Sequence, residues 1–436
     1  MSGARVLLDI FTRVTDEEAY SNLALKAGLK QVTDARERRR ISAALYTALE
    51  HLSYIDYVIA GFARGKLNKT VRNILRIGVC EILFMNRLDS AVCNECVNLA
   101  REVGKSALSG YINGVLRSVC RAKESGNLPE LPEKIDERLK IETGYPLWLV
   151  REYIDRFGEE NASKILTASE SGISLRAQSP FTGAQLEKYL DDNGIEYKRG
   201  DIDPNIYRLK VGFDITENEL FVSGAITVQS EGSAAVCRAC DVKQGMHVLD
   251  ACAAPGGKSA YLASLTENNC HITACDLHEH RCELIKKTFS RLNVTCADVK
   301  CIDNSCPNNE FPGKFDVVLC DVPCTGLGVL GKPDARYRRD ANARESISKL
   351  QFAIISACSE YVKVGGTLIY STCTVSYEEN ERVTDEFLSK DPRFCLDGGL
   401  KEVFPKRAEA ESGMIHLLPG IDGTEGFFIA RFKRKG

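Results

Sequence analysis

Residues 248–259, VLDACAAPGGKS, constrain this chain more than any other stretch. The short apolar run ending at Asp250 reads as a buried strand. The small-residue loop with Pro255, Gly256 and Gly257 reads as a turn, and the run from Lys258 as a helix. In an open α/β sheet, a strand that turns through glycines into a helix leaves a crevice at the strand's carboxyl end. Small side chains there let a ligand approach the backbone. Two further apolar strands run into DVPCTG (321–326) and YSTCTV (370–375), so that a cysteine follows each.

From about Ala225 onward, strand and helix patterns alternate: HVLDAC, ITACDL, VKCID, FDVVLCDV, TLIYSTC, then IHLL and FFIARF. Alternating βα units predict a mainly parallel sheet with helices on both faces. The last two segments, separated by PGIDGTEG, read as an antiparallel hairpin at an edge. The order predicts a Rossmann-like, seven-stranded sheet, not an all-parallel dinucleotide fold. Residues 4–123 show helical spacing instead, as in Val6, Leu7, Ile10 and Phe11, with breaks at Asp16, Asp34, Gly65 and Asp89. Residues 124–135 are Pro- and Glu-rich, as linkers are. Helical patterns resume at Pro146, followed by a small α+β module in which ISLRAQ (173–178) alternates like a strand.

A chain of 436 residues holds about two or three domains. Three are expected: an all-α domain over 1–126, linker helices with an α+β subdomain over 127–224, and an α/β domain over 225–436. Residues 1–126 carry 19 Lys+Arg against 13 Asp+Glu, a net of +6, on a chain whose total is −3. A basic front on an acidic remainder hints at a separate module for a polyanion. Arg36, Arg38, Arg39 and Arg40 cluster on one segment, with Arg72, Arg76 and Arg117 on others, although solvated helix faces look the same. No apolar run reaches membrane-spanning length and no export signal is apparent, so the 18 cysteines are expected to be reduced thiols of a cytoplasmic protein without a membrane partner.

The crevice selects among nucleotide cofactors. Asp276 should end the second strand, 19 positions after Gly257, where an acid can accept the hydrogen bonds of a ribose diol. Asp303 is expected to end the third strand, within reach of an adenine amino group, and Asp321 the fourth. Asp also caps turns, but four strand ends each carrying one, Asp250 included, point to a ligand. A dinucleotide would want GxGxxG, and a P-loop would want glycine where Cys252 stands. S-adenosylmethionine, with its positive sulfonium and no phosphates, suits an acid-lined, glycine-gated crevice.

Cys373 precedes Ser376 and Glu379 in what reads as a capping box, and a thiol near a helix N-terminus has its thiolate favoured. Cys324, after Pro323, sits beside Asp321. The pairs Cys93 with Cys96 and Cys237 with Cys240 fall in helical patterns without knuckle glycines, so no metal is expected. VLDACAAPGGKS, DVPCTGLGV and YSTCTV with GGT ahead of it resemble the RNA 5-methylcytosine methyltransferases. Residues 73–117, ending in GYINGVLR, look like the NusB-type RNA-binding fold found at the front of the RsmB (Sun or Fmu) rRNA methyltransferases.

That resemblance implies a methyl transfer from S-adenosylmethionine to cytosine C5, with RNA as partner, 16S rRNA as the expected target, and a monomer. It implies Cys373 as the nucleophile at C6, Cys324 in product release, and Asp321 on the base at N3/N4. Cys252, Ala253, Ala254, Pro255, Gly256, Gly257 and Lys258, with Asp276, Asp303 and Asp321, would line the cofactor and substrate pocket. The same chemistry on tRNA or 23S rRNA, or an assembly factor in which methylation is secondary, are the alternatives. Two departures stand out. Gln178 follows Arg176 where the family has Asn, and the loop after Cys324 is one residue short, with Gly331-Lys332 before Pro333. Beyond it, Arg336, Arg338 and Arg339 around Tyr337 are expected to meet RNA backbone.

Overall fold

In the computed structural model, residues 2–17, 19–168, 172–210, 215, 217–329 and 343–436 are described. They form two compact units that part after Thr167, so the stretch from 127 to 224 is divided between them. The ARYRRD segment and Gly331, Lys332 and Pro333 lie outside the described residues. Among those described, no helix is long and apolar enough to cross a membrane.

The first unit is helical: α1 (Gly3–Asp16), α2 (Ser21–Gly28), α3 (Ala35–Glu50), α4 (Leu52–Phe62), α5 (Lys69–Phe84), α6 (Asp89–Glu102), α7 (Ser109–Ser125), α8 (Ile135–Thr143) and α9 (Leu147–Leu166). Side chains of Ser2, Asp34 and Asn68 cap α1, α3 and α5. α5 is buried nearly all round, from Val71 to Ile82, and α1, α3, α4, α6 and α7 pack on it. Burying it includes polar residues, and these turn several expected surface arginines inward. Arg76 makes a two-pronged bond to Asp56 at 2.7 and 2.5 Å, Arg72 reaches Asp16 at 2.6 Å, and Arg40 reaches the buried Glu81 at 2.7 Å. Arg36, Arg38, Arg39 and Arg117 remain exposed. Cys93 and Cys96 are buried on α6, as helix-packing thiols.

The second unit opens with a small antiparallel sheet: β1 (Ile173–Ala177), α10 (Gly183–Asp192), β2 (Tyr197–Arg199), β3 (Ile206–Leu209), α11 (Glu219–Val222) and β4 (Ile226–Val228), in the order β2-β3-β1-β4. Arg176 points inward from β1. It donates to Gln229 at 2.7 Å and stacks 4.4 Å over the Tyr261 ring, while Gln178 donates to the Ala260 carbonyl at 3.3 Å. Both side chains therefore fasten this sheet to the larger part of the unit, at Ala260 and Tyr261.

The main sheet follows: α12 (Glu231–Cys240), β5 (His247–Asp250), α13 (Gly257–Leu265), β6 (His271–Asp276), α14 (Glu279–Arg291), β7 (Ala297–Cys301), β8 (Phe315–Asp321), α15 (Ala343–Ser359), β9 (Val362–Thr372), α16 (Glu381–Lys390), β10 (Phe394–Leu396), α17 (Leu400–Val403), β11 (Met414–Leu417) and β12 (Phe427–Arg434). Its order is β10-β12-β9-β8-β5-β6-β7, parallel from β9 to β7, with β12 antiparallel to β9. The expected hairpin of β11 with β12 is present. The sheet holds one strand more than the seven predicted, because β10 and β11 are both short and share the outer edge along β12.

Alternate residues feed two cores. Val317, Leu319, Ile369 and Ile429 pack with α12, α13 and α14 residues, whereas Val318, Cys320, Leu368, Tyr370 and Phe428 pack with α15 and α16 residues. Covering both faces is why these strands read as continuous apolar runs. At the start of α12, Glu231 is 1% exposed in its side chain and takes hydrogen bonds from the Ile202 and Asp203 backbone N–H groups and from Arg208. It joins β3 to the main sheet by charge. Replacing Glu231 by Ala should lower the unfolding free energy by about 3 kcal/mol, since it leaves those donors without an acceptor. Urea unfolding followed by circular dichroism checks this, and a loss under about 1 kcal/mol contradicts it.

Candidate active site

Because β5, β6, β8 and β9 run parallel, their carboxyl ends open on one edge of the sheet. The chain leaves β5 toward β6 and leaves β8 toward β9, in opposite directions, so the gap between β5 and β8 is the crossover where open α/β sheets hold their ligands. The 252–257 loop turns tightly there, with the Gly256 N–H on the Ala253 carbonyl at 2.7 Å and Gly256 at φ +102°. A Cβ on Gly256 would meet Phe289 at 3.3 Å, whereas one on Gly257 would meet nothing within 4 Å, so the backbone of Gly257 faces open space.

Lys258, on the first turn of α13, sends its ammonium to Asp321 at the end of β8, 2.6 Å away. The Ser371 hydroxyl, opposite Asp321 in register, donates to the other carboxylate oxygen at 2.8 Å. Burial works against the Lys258 charge, but the Asp321 carboxylate outweighs it and raises the ammonium well above its ordinary value. Its Nζ also lies 5.6 Å from the centre of the Phe427 ring.

Both motif cysteines arrive beside this pair. Cys324 Sγ and Cys373 Sγ are 3.1 Å apart and both residues are half-buried. Hydrogen bonding from Cys324 lowers the Cys373 thiol below the ordinary value, against the effect of burial, with Lys258 helping. Cys324 goes up, through the same hydrogen bond, burial and the nearby Glu379 carboxylate. The contact thus favours ionisation of Cys373 over that of Cys324. The capping box expected after Cys373 does not form. α16 begins only at Glu381, after a turn, with Asn380 as its first residue outside. Ser376 donates to Glu378 at 2.9 Å, and Glu379 is used elsewhere. Cys373 therefore owes its lowered thiol to Cys324 and not to a helix terminus.

On the other side of the loop, Asp250 accepts from Ser259 at 2.6 Å, and burial pushes its carboxyl up to about 7 while that hydrogen bond pulls it back. Asp276 is buried at the end of β6, with the His278 N–H at 3.2 Å and Arg281 at 3.4 Å. Asp303 lies two residues past the end of β7, not on it. It is exposed, and its Oδ1 accepts from the Ser305 backbone and hydroxyl at 2.9 and 2.6 Å. The buried polar group in that stretch is Asn304, which donates to the Ala251 carbonyl at 2.9 Å and which sequence patterning missed. Asp250 Oδ1 and Asn304 Oδ1 are buried with no geometrically formed hydrogen bond among the described residues. Acceptors left over beside a glycine loop fit a ligand rich in O–H and N–H donors, as the ribose and amino group of S-adenosylmethionine are. Cys252 is half-buried in the loop, with its thiol raised by burial.

A cavity of about 420 Å³ lies close by, lined by Arg208, Ser230, Glu231, Thr424 and Glu425 among others. Glu425 is near enough to act on both Cys373 and Lys258, and burial raises its carboxyl above the ordinary value. Only a cross-sheet contact reveals this residue, so nothing local in the sequence marks it.

The model of the 16S rRNA methyltransferase RsmB/F family matches residues 238–433, and that of the NusB family residues 4–121. The chain is similar to the probable ribosomal RNA small subunit methyltransferase B of Bacillus subtilis (strain 168), at 33% identity over 99% of this chain and 98% of that one. It is 28% identical to the ribosomal RNA small subunit methyltransferase B of Escherichia coli O127:H6 (strain E2348/69 / EPEC), covering 96% of each. Among solved structures, PH0851 superposes with a TM-score of 0.78 at 25% identity, covering 99% of this chain and 98% of that one. A methyltransferase homolog protein from Pyrococcus horikoshii does so with a TM-score of 0.60 at 29% identity, over 70% of this chain and all of that one.

Since Cys324 lowers the Cys373 thiol by donating to it, removing that donor has a definite sign. Alkylation of Cys373 by iodoacetamide, followed by peptide mass spectrometry across pH, should show a midpoint below the ordinary cysteine value of 9.0. In Cys324→Ala the midpoint should move up, so that labelling near pH 7 slows. An unchanged midpoint contradicts the influence of Cys324 on Cys373.

Proposed function

The chain belongs to the RsmB/F family of 16S rRNA methyltransferases, and from that premise we propose that it methylates C5 of a cytosine in 16S rRNA through a covalent adduct with Cys373. The carrying observation is the 3.1 Å approach of Cys324 and Cys373 beside the Lys258–Asp321 ion pair. The methyl group comes from S-adenosylmethionine, which supplies it as an electrophile. We assign the cofactor to the 252–257 loop with Asp250 and Asp276. Asp303, exposed and bonded to Ser305, is a weaker member of that set than its neighbour Asn304.

Cytosine C5 does not attack a methyl group unaided. Addition of the Cys373 thiolate to C6 moves the ring's electron pair onto C5 and makes that carbon the nucleophile. Asp321 accepts from the base at N4 and orients the ring, while the Lys258 ammonium paired with it supplies positive charge against the negative charge developing on the ring at N3. After C5 has gained the methyl, its proton leaves to a base, the C5–C6 double bond re-forms and the C6–S bond breaks. The thiol of Cys324 then hydrogen-bonds the departing Cys373 sulfur, the partnership the free enzyme already has. A target cytosine stacked in a stem must first be turned out of the helix. The NusB-like unit, with Arg36, Arg38, Arg39 and Arg117 exposed, is the proposed RNA-holding part. Eighteen free cysteines suit a reducing cytoplasm.

Methyl transfer from labelled S-adenosylmethionine to separated 16S rRNA, 23S rRNA and tRNA tests this. Label is expected at one cytosine C5 of 16S rRNA. It should be lost in Cys373→Ala and fall by roughly 100-fold or more in Asp321→Ala, which removes the group that orients the base. Cys324→Ala should leave protein covalently joined to RNA on a denaturing gel. Label in tRNA or 23S rRNA instead overturns the target, and methylation by Cys373→Ala overturns the adduct.

A further inference from the structure

Two neighbouring residues on the turn before α16 each bracket one cysteine. Glu379 is fully buried, and its carboxylate accepts the Thr325 backbone N–H at 2.9 Å and the Thr325 hydroxyl at 2.5 Å. Gln351 of α15 donates to the same carboxylate at 3.2 Å and to the Pro323 carbonyl at 2.9 Å. Pro323 and Thr325 flank Cys324, so one carboxylate and one amide hold the chain on both sides of it. Asn380, also fully buried, accepts from the Thr372 hydroxyl at 2.6 Å and donates to the Thr374 carbonyl at 3.0 Å. Those residues flank Cys373. The Tyr370 hydroxyl donates to the Glu379 carbonyl at 2.5 Å and pins the dipeptide to β9.

A buried carboxylate is costly unless its hydrogen bonds are supplied, and here all of them come from the segment carrying Cys324 or from the amide that holds it. Neither Glu379 nor Asn380 caps α16 with its side chain. Their side chains are spent on the two cysteine loops. We infer that Glu379 and Asn380 are positioning residues for different halves of the reaction: Asn380 fixes the sulfur that attacks, and Glu379, with Gln351, fixes the cysteine that assists release. The inference rests on the proposed division of labour between Cys373 and Cys324. Proximity of the Glu379 carboxylate also keeps the proton on Cys324, alongside the hydrogen bond to Cys373 and burial.

The test follows the covalent RNA–protein adduct on denaturing gels together with methyl transfer, in the full chain with S-adenosylmethionine and 16S rRNA. Asn380→Ala should slow adduct formation by roughly 100-fold, the effect of displacing a reacting atom by about 1 Å, with turnover falling in step. Glu379→Gln keeps the shape but sets an amide N–H₂ against the donors of Thr325 and Gln351. Its adduct should still form, no more slowly than in Cys324→Ala, and then persist as it does there, while turnover falls. Thr325→Val removes one of those contacts from the other side, and it should give the same persistence if Glu379→Gln does not fold. A merely structural role would slow both steps alike in both variants, and that result overturns the inference. Cys373→Ala and Cys324→Ala run alongside. If Cys373→Ala still forms adduct, the reading of the two cysteines falls and takes this inference with it. If both cysteine variants behave as proposed and the Glu379 and Asn380 variants show no split, only the positioning inference falls.

Discussion

The site depends on the register between β8 and β9. Asp321 lies opposite Ser371, and both strands run the same way, so both chains leave the sheet at one edge. Cys324 follows three residues after Asp321 and Cys373 two after Ser371, which is what brings the sulfurs to 3.1 Å. A slip of one residue would exchange the faces of every side chain on the strand. Asp321 would then turn from Lys258, and Leu319 and Ile369 would leave the core they share with α12 and α13. Val318, Leu319 and Cys320 are fully buried, as are Leu368, Ile369 and Tyr370 across from them. The register is therefore specified by packing on both faces, and the chemistry at the strand ends inherits its precision from that core.

The same edge gathers carboxylates in a place of low dielectric, with unequal consequences. Asp321 has an ammonium at 2.6 Å; Asp250 has only the Ser259 hydroxyl, and burial moves it up to about 7. An acid whose folded value is raised binds more protons folded than unfolded. Its contribution is thus fully favourable below its unfolded value, near 3.8, and is lost as pH rises toward 7. At neutral pH Asp250 opposes folding in the empty protein. Donors from a bound ligand would relieve it, because they favour the ionised form that burial penalises. Strain of this kind at a strand end beside a glycine loop is how a fold keeps an acceptor available for a ligand.

How much of this could be read from the sequence follows from the range of each interaction. Parallel strands covered on both faces appear as apolar runs, so β5, β6, β8 and β9, the aspartates that end the first three and the positions of the two cysteines were legible from local pattern. The failures share a cause. Asp303 and Asn304 are neighbours, and only the bond from Asn304 to the Ala251 carbonyl, 53 residues away, makes one of them structural. Ser376 and Glu379 have the spacing of a capping box, but Glu379 is drawn off by Thr325, 54 residues distant. Arg40, Arg72 and Arg76 look like a basic face until Glu81, Asp16 and Asp56 come to meet them. In each case the deciding partner lies far away in sequence.

Two cysteines 3.1 Å apart would be chemically alike if their surroundings were alike, and a symmetric pair could not assign attack to one and release to the other. The charges around the two sulfurs differ. Lys258 acts on Cys373 and favours its thiolate, whereas Glu379 acts on Cys324 and favours its thiol. The Asp321 and Glu425 carboxylates oppose Lys258 at Cys373, so the hydrogen bond from Cys324 is the main influence that lowers its thiol. That hydrogen bond biases both sulfurs at once, because a thiol that donates to a thiolate lowers one and raises the other together. Asymmetry thus comes from the hydrogen bond between the sulfurs, tuned by ionised groups whose own positions are fixed by α13 and by the turn before α16. The roles of the cysteines are tuned by elements other than the strands that carry them.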